Sequence, residues 1–166
     1  MDIRIMGLRR AMAHVPQVPT LALRIFNSYE GCETNETAPL VDSPHYTICA
    51  YTFDEQNPDY LRECDRSYDL EGLRRRNRIF DAAIAEQILR DFEQHKEGKL
   101  ELLVHCLLGV ERSPAVAIAL NEVFALGGDG RALRERYLDH NTYICRTLIA
   151  TARLHGFPHQ RQPEDL

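Results

Sequence analysis

The sequence predicts an α/β fold, a mostly parallel central sheet flanked by helices, and three observations predict it. Short apolar runs with strand-like composition alternate along the chain with longer stretches of helical period, the pattern of βα units. One of those runs passes through a Gly-containing loop into a helix, "LELLVHCLLGVERSPAVAIAL". The chain has 166 residues, enough for one domain with a single substantial core, so residues 1–166 are read as one domain.

The elements follow in order. "DIRIM" (2–6) and "LALRIFNS" (21–28) read as strands. Residues 29–44 are polar and turn-rich and read as a loop. "HYTICAYTF" (45–53) alternates Thr with aromatic and aliphatic residues and reads as a third strand. Residues 54–72 are loop-like. Residues 73–95 read as a long helix, because Ile79, Phe80, Ala83, Ile84, Ile88 and Phe92 fall mostly three and four apart. "LELLV" (100–104) is too short for a helix and reads as a buried strand. A helix follows from Ser113, an apt N-cap, with Pro114 in its first turn and "GGDG" to stop it. Two more helices are expected over 129–140 and 141–156, with Gly156 at the C-cap.

Composition excludes several classes. The formal charge is −5, whereas a general nucleic-acid binder carries a basic excess. No segment reaches the roughly 18 apolar residues of a membrane span. The first residues lack the apolar core of a signal peptide, so a cytoplasmic location is expected. Five cysteines (Cys32, Cys49, Cys64, Cys106, Cys145) are an odd number with no metal-type CxxC pair, which fits reduced thiols. No metal or cofactor is implied, and oligomeric state is not legible.

The chemistry concentrates between strand and helix. Five residues, Leu107, Leu108, Gly109, Val110 and Glu111, separate Cys106 from Arg112. The N–H groups of such a loop and of the helix start converge on one point, which makes an anion site. The same field favours a thiolate at Cys106. Arg112 returns to the loop mouth with a planar fork able to grip two phosphate oxygens. A thiolate beside a bound phosphate can attack phosphorus, and water can then hydrolyse the cysteinyl-phosphate. The competing reading of Cys106 as a small buried hydrophobe leaves Gly109, Arg112 and Ser113 unexplained.

His105, Cys106, Gly109, Arg112 and Ser113 resemble the His-Cys-x5-Arg-Ser signature of the cysteine-dependent protein tyrosine phosphatases, dual-specificity-like and of the small bacterial type. The signature covers nine residues, with a looser likeness in element order over most of the chain. The resemblance implies a phosphatase-like fold and hydrolysis of phosphotyrosine in proteins or of small phosphoesters, with phosphoserine and phosphothreonine open. It implies Cys106 as nucleophile, Arg112 as phosphate binder and Ser113 as the hydroxyl that stabilises the departing thiolate. His105 would tune the environment of Cys106, or be an ordinary core histidine. Asn141 would support the loop, or cap a helix. The proton donor is expected to be an Asp upstream of the nucleophile. Asp54, directly after the third strand, ranks above Asp59, with Asp65 and Asp69 behind. The alternative function is a non-catalytic phosphate or phosphoprotein reader that keeps the loop without turnover.

Three further features stand out. Glu111 beside Arg112 would repel a second phosphate, and the loop lacks a Lys, so highly phosphorylated inositols are disfavoured. Arg74, Arg75, Arg76 and Arg78 are either a solvated face or a substrate clamp. Cys49, on the strand feeding the Asp loop, is the candidate disulfide partner for an oxidised Cys106.

Overall fold

The computed structural model describes residues 1–28, 37–55 and 78–158. It contains strands β1 (Asp2–Gly7), β2 (Thr20–Phe26), β3 (Tyr46–Thr52) and β4 (Glu101–Cys106). Its helices are α1 (Leu8–Met12), α2 (Ala82–His95), α3 (Arg112–Phe124), α4 (Gly130–Arg136) and α5 (Thr142–His155). The four strands among the described residues run parallel in the order β1-β4-β2-β3. The fold is therefore the α/β, parallel-sheet class that the sequence predicts. β4 lies between β1 and β2, and every one of its residues is buried, which explains its unbroken apolar run.

Glu101 opens β4 and sets its position. Its buried carboxylate takes Arg4 from β1, His14 Nε2 at 2.9 Å and the Thr20 hydroxyl of β2 at 3.2 Å. One acidic side chain thus ties the three adjacent strands together at the end remote from Cys106. On one face of the sheet, α2, α3 and α5 cover a core that includes Leu21, Leu23, Phe53, Phe80, Phe92, Val104, Ile118 and Leu148. A smaller cluster around Ala22, Leu40 and Leu103 includes Ala11 of α1.

Several expectations shift. β4 runs on to Cys106 itself rather than stopping at 104. The long helix begins at Ala82, with the Asp81 side chain capping Ile84 N–H at 2.9 Å. Ile79 and Phe80 therefore lie outside it. Ile79 makes a parallel bridge with Asp54, and Phe80 packs edge-on against Phe53 at 4.8 Å. Their apolar spacing suited a helix, but packing beside the end of β3 takes up the same side chains outside it. α1 was not expected, since five residues are too few to show a period. Glu111, not Ser113, occupies the N-cap of α3, because the helix already includes Arg112 and Ser113. Asp59, Asp65, Asp69, Arg74, Arg75, Arg76, Cys32 and Cys64 lie outside the described residues.

Candidate active site

The loop after β4 is shaped by two glycines. Gly109 has φ +79°, a region that disfavours any side chain, and a Cβ there would lie 2.5 Å from Gly7 N. A Cβ on Gly7 would meet Leu108 O at 2.7 Å. The end of β1 and the loop thus touch backbone to backbone, and Leu8 N–H closes the junction on Leu107 O at 3.0 Å. That contact curls Leu107–Arg112 around the sulfur of Cys106.

Cys106 is buried at the bottom of this curl. Gly109 N–H donates to its Sγ at 3.2 Å, and Ser113 Oγ lies 3.3 Å away. Ser113, fully buried, thus has a partner that an ordinary N-cap would not supply. Arg112 is 3% exposed, and its Nη1 donates to Phe53 O at 2.9 Å. Its buried Nε makes no hydrogen bond among the described residues. The nearest acid is Glu55, whose Oε2 stands 3.8 Å from Nε. Phe53 O therefore fixes one corner of the guanidinium, and the Nε edge faces Glu55. A cleft of about 80 Å³ opens there, lined by Cys106, Arg112, Glu55, Glu111, Asn27 and the intervening loop.

Asp54 sits differently from its expected role. It is 5% exposed, and both oxygens of its carboxylate are occupied. Oδ1 accepts from Ser28 N–H at 2.9 Å; Oδ2 accepts from Arg78 N–H at 2.8 Å and from the Ser28 hydroxyl. Asp54 N–H also bonds Arg78 O at 2.9 Å. The residue pins the end of β2 and the segment before α2 to the end of β3. Glu55, one position on, is half exposed and borders the cleft. Glu55 is not among the acids that the sequence reading weighs; successive side chains point opposite ways, which sets Glu55 and not Asp54 at the cleft.

Asn141 joins the start of α5 to the cleft's two acidic segments. Its side chain caps α5 at Ile144 N–H, 3.1 Å, and its Nδ2 donates to Glu55 O at 2.7 Å. Its own N–H bonds Glu111 O at 3.1 Å. One Asn thereby holds the two segments that carry the cleft's carboxylates.

His105 faces away from the cleft, as strand alternation requires. Its Nε2 accepts from Arg24 Nε at 3.0 Å, and the ring meets Phe26 edge-on. Burial and the Arg24 charge press its pKa down to about 4. The folded protein thus keeps His105 neutral where an unfolded chain, with a pKa near 6.5, would protonate it. Stability is complete above pH 6.5 and falls as pH drops toward 4, by about 3 kcal/mol in total. Urea unfolding at pH 7 and pH 4.5 should show this loss, and His105→Gln should remove most of the difference between the two pH values.

Burial pushes the Glu111 carboxyl up, Glu55 adds to this, Arg112 opposes it, and Asp139 adds again. Above that raised range the cleft mouth carries a negative charge that opposes an anionic substrate. Glu111→Gln should lower KM for an aryl phosphate severalfold at pH 7.5, and the advantage should vanish as pH falls and the native carboxyl protonates. Equal KM values at pH 7.5 would show that Glu111 does not face the substrate.

Cys49 does not fit as a disulfide partner. It pairs with Leu23, which pairs with Val104, so two strand spacings, roughly 10 Å, separate it from β4. Cys106 lies two residues further on, and a disulfide needs Cα atoms within about 7 Å. Burial raises the Cys49 thiol, with Asp91 adding to it, which makes it a poor attacking group as well.

Among the described residues no group of three His, Cys, Asp or Glu is placed to hold a metal ion, and no helix is long and apolar enough to cross a membrane. No protein-family model matches the chain, and no curated protein matches it in sequence. A solved structure described as Tk-PTP in the active form is similar at a TM-score of 0.45 and 16% identity, covering 90% of this chain and 92% of that one. The chemistry of the site therefore stands on its own geometry.

Proposed function

We propose that the protein hydrolyses phosphomonoesters, phosphotyrosine in proteins foremost, through a cysteinyl-phosphate on Cys106. The observation that carries this reading is the open Nε edge of a buried Arg112 beside a sulfur that already receives an N–H. A buried guanidinium with no hydrogen bond at Nε keeps donor capacity that a bound anion can use. A phosphate there would accept from Arg112 and the loop N–H groups, with phosphorus above Sγ.

The sulfur attacks phosphorus, the P–O bond to the leaving group breaks, and a proton must reach the departing oxygen. Glu55 is the carboxyl that supplies it in this reading. Asp54 holds the strand end from which Glu55 projects. Water then attacks the cysteinyl-phosphate, and the Ser113 hydroxyl supports the returning thiolate. The occupied state of Asp54 also favours the phosphate reader, which binds without turnover; Glu55 is what separates the two. Hydrolysis of an aryl phosphate without added metal, blocked by vanadate, supports the enzyme. Tight phosphate binding with no turnover supports the reader.

A further inference from the structure

Behind the catalytic loop, on its β1 side, lies a groove of about 790 Å³ lined largely by apolar surface from Leu8, Met12, Leu107, Leu108 and Tyr137. Arg9, Arg10 and Arg136 stand around it. Arg136 lies 5.5 Å over the Tyr137 ring. None of the three meets a carboxylate among the described residues, although other surface arginines of the chain do. Three unneutralised cations around an apolar floor, on a chain of net charge −5, are the complement of an acidic and partly apolar segment.

The groove and the cleft share a wall. Leu107 and Leu108 line both, and Leu108 is 73% exposed between them. The two sides of the loop carry opposite charge. Glu55 and Glu111 border the cleft toward β3, whereas the arginines border the groove toward β1. The groove floor is also fixed to the loop by the Gly7–Gly109 contact, so an occupant there is held in register with the cleft.

We infer that this groove binds the polypeptide flanking the phosphoresidue, and that it selects a stretch with Asp or Glu beside an apolar residue. The inference rests on the phosphatase reading and names the substrate class of that site. A peptide leaving the cleft over Leu108 sets its next apolar side chain against Leu8 and Met12, with its carboxylates at Arg9 and Arg10.

The test compares phosphotyrosine peptides that differ only in one flank, Glu-Leu-Glu against Lys-Leu-Lys, on the intact chain and on Arg9→Glu/Arg10→Glu. On the intact chain the acidic peptide should have a KM about three- to tenfold lower, in line with a few exposed ion pairs, with kcat unchanged. The charge-reversed chain should prefer the basic peptide. Turnover of a small aryl phosphate should be equal in both chains, since neither arginine borders the cleft. Arg136→Glu should move the peptide preference in the same direction. An unchanged peptide preference in the reversed chain overturns the inference. So does arginine-dependent sedimentation with phosphatidylserine vesicles accompanied by no peptide discrimination, which would make the surface a membrane contact. If aryl phosphate turnover is absent from the start, the phosphatase reading fails, and calorimetric binding of the two peptides to the intact chain then decides the groove alone.

Discussion

Cys106→Ser is expected to reduce aryl phosphate turnover to the uncatalysed rate while leaving vanadate or phosphate binding in place. The hydroxyl that replaces the thiol keeps the size of the side chain, and Gly109 N–H still has an acceptor at that position. It is a far weaker nucleophile at neutral pH, because a hydroxyl has almost no ionised fraction there. In the proposed binding mode the loop N–H groups and Arg112 hold the anion, and the substitution does not touch them. Arg112→Lys should fail for a different reason. An ammonium is a point charge and cannot hold both the Phe53 carbonyl and a phosphate edge, so turnover should drop by about 10²–10³-fold with weakened phosphate binding. Calorimetry with vanadate separates the two variants: binding persists in the first and weakens in the second.

Glu55→Gln is expected to slow hydrolysis of a phenyl-type phosphate by roughly 10²–10⁴-fold, the range of a positioned proton donor. An activated ester, whose leaving group departs without help, should be affected little. The alkaline limb of the pH–rate profile should flatten. Asp54→Asn should behave in the opposite way. It replaces a carboxylate oxygen that accepts N–H bonds with an amide, and the clash with Ser28 or Arg78 should destabilise the fold by about 1–3 kcal/mol. Whatever folds should keep the leaving-group dependence of the native protein. If the two variants exchange these behaviours, the acid is Asp54, as the position after the third strand first implied. If neither changes the leaving-group dependence, the Asp59, Asp65 and Asp69 variants become the informative ones.

The strand–loop–helix around Cys106 was legible because its signals are local. A short apolar run, a Gly and an Arg at a fixed interval each have a backbone consequence that needs no distant partner. The parallel class was legible from alternation for a similar reason. What the sequence hid depends on contacts between remote segments. Gly7 carries no signal of its own in the sequence; its importance comes from lying against Gly109, over a hundred positions away. Asp54 and Glu55 are adjacent acids, and only the pairing of Asp54 with Ser28 and Arg78 distinguishes them. Ile79 and Phe80 continued a helical period, yet the end of β3 recruits them first. His105 was ambiguous between tuner and core residue, and Arg24, on the neighbouring strand, turns it into a buried neutral acceptor.

The central claim is the covalent bond between Cys106 sulfur and phosphorus, and acid quenching during turnover tests it most directly. The protein is mixed with an aryl phosphate, stopped in acid within the first turnovers, digested and examined by mass spectrometry. The account predicts one phosphoryl group on the peptide that contains Cys106, accumulating in Glu111→Gln as in the native chain and absent from Cys106→Ser. Steady turnover with no phosphorylated Cys106 peptide, or with the same turnover in Cys106→Ser, would contradict it.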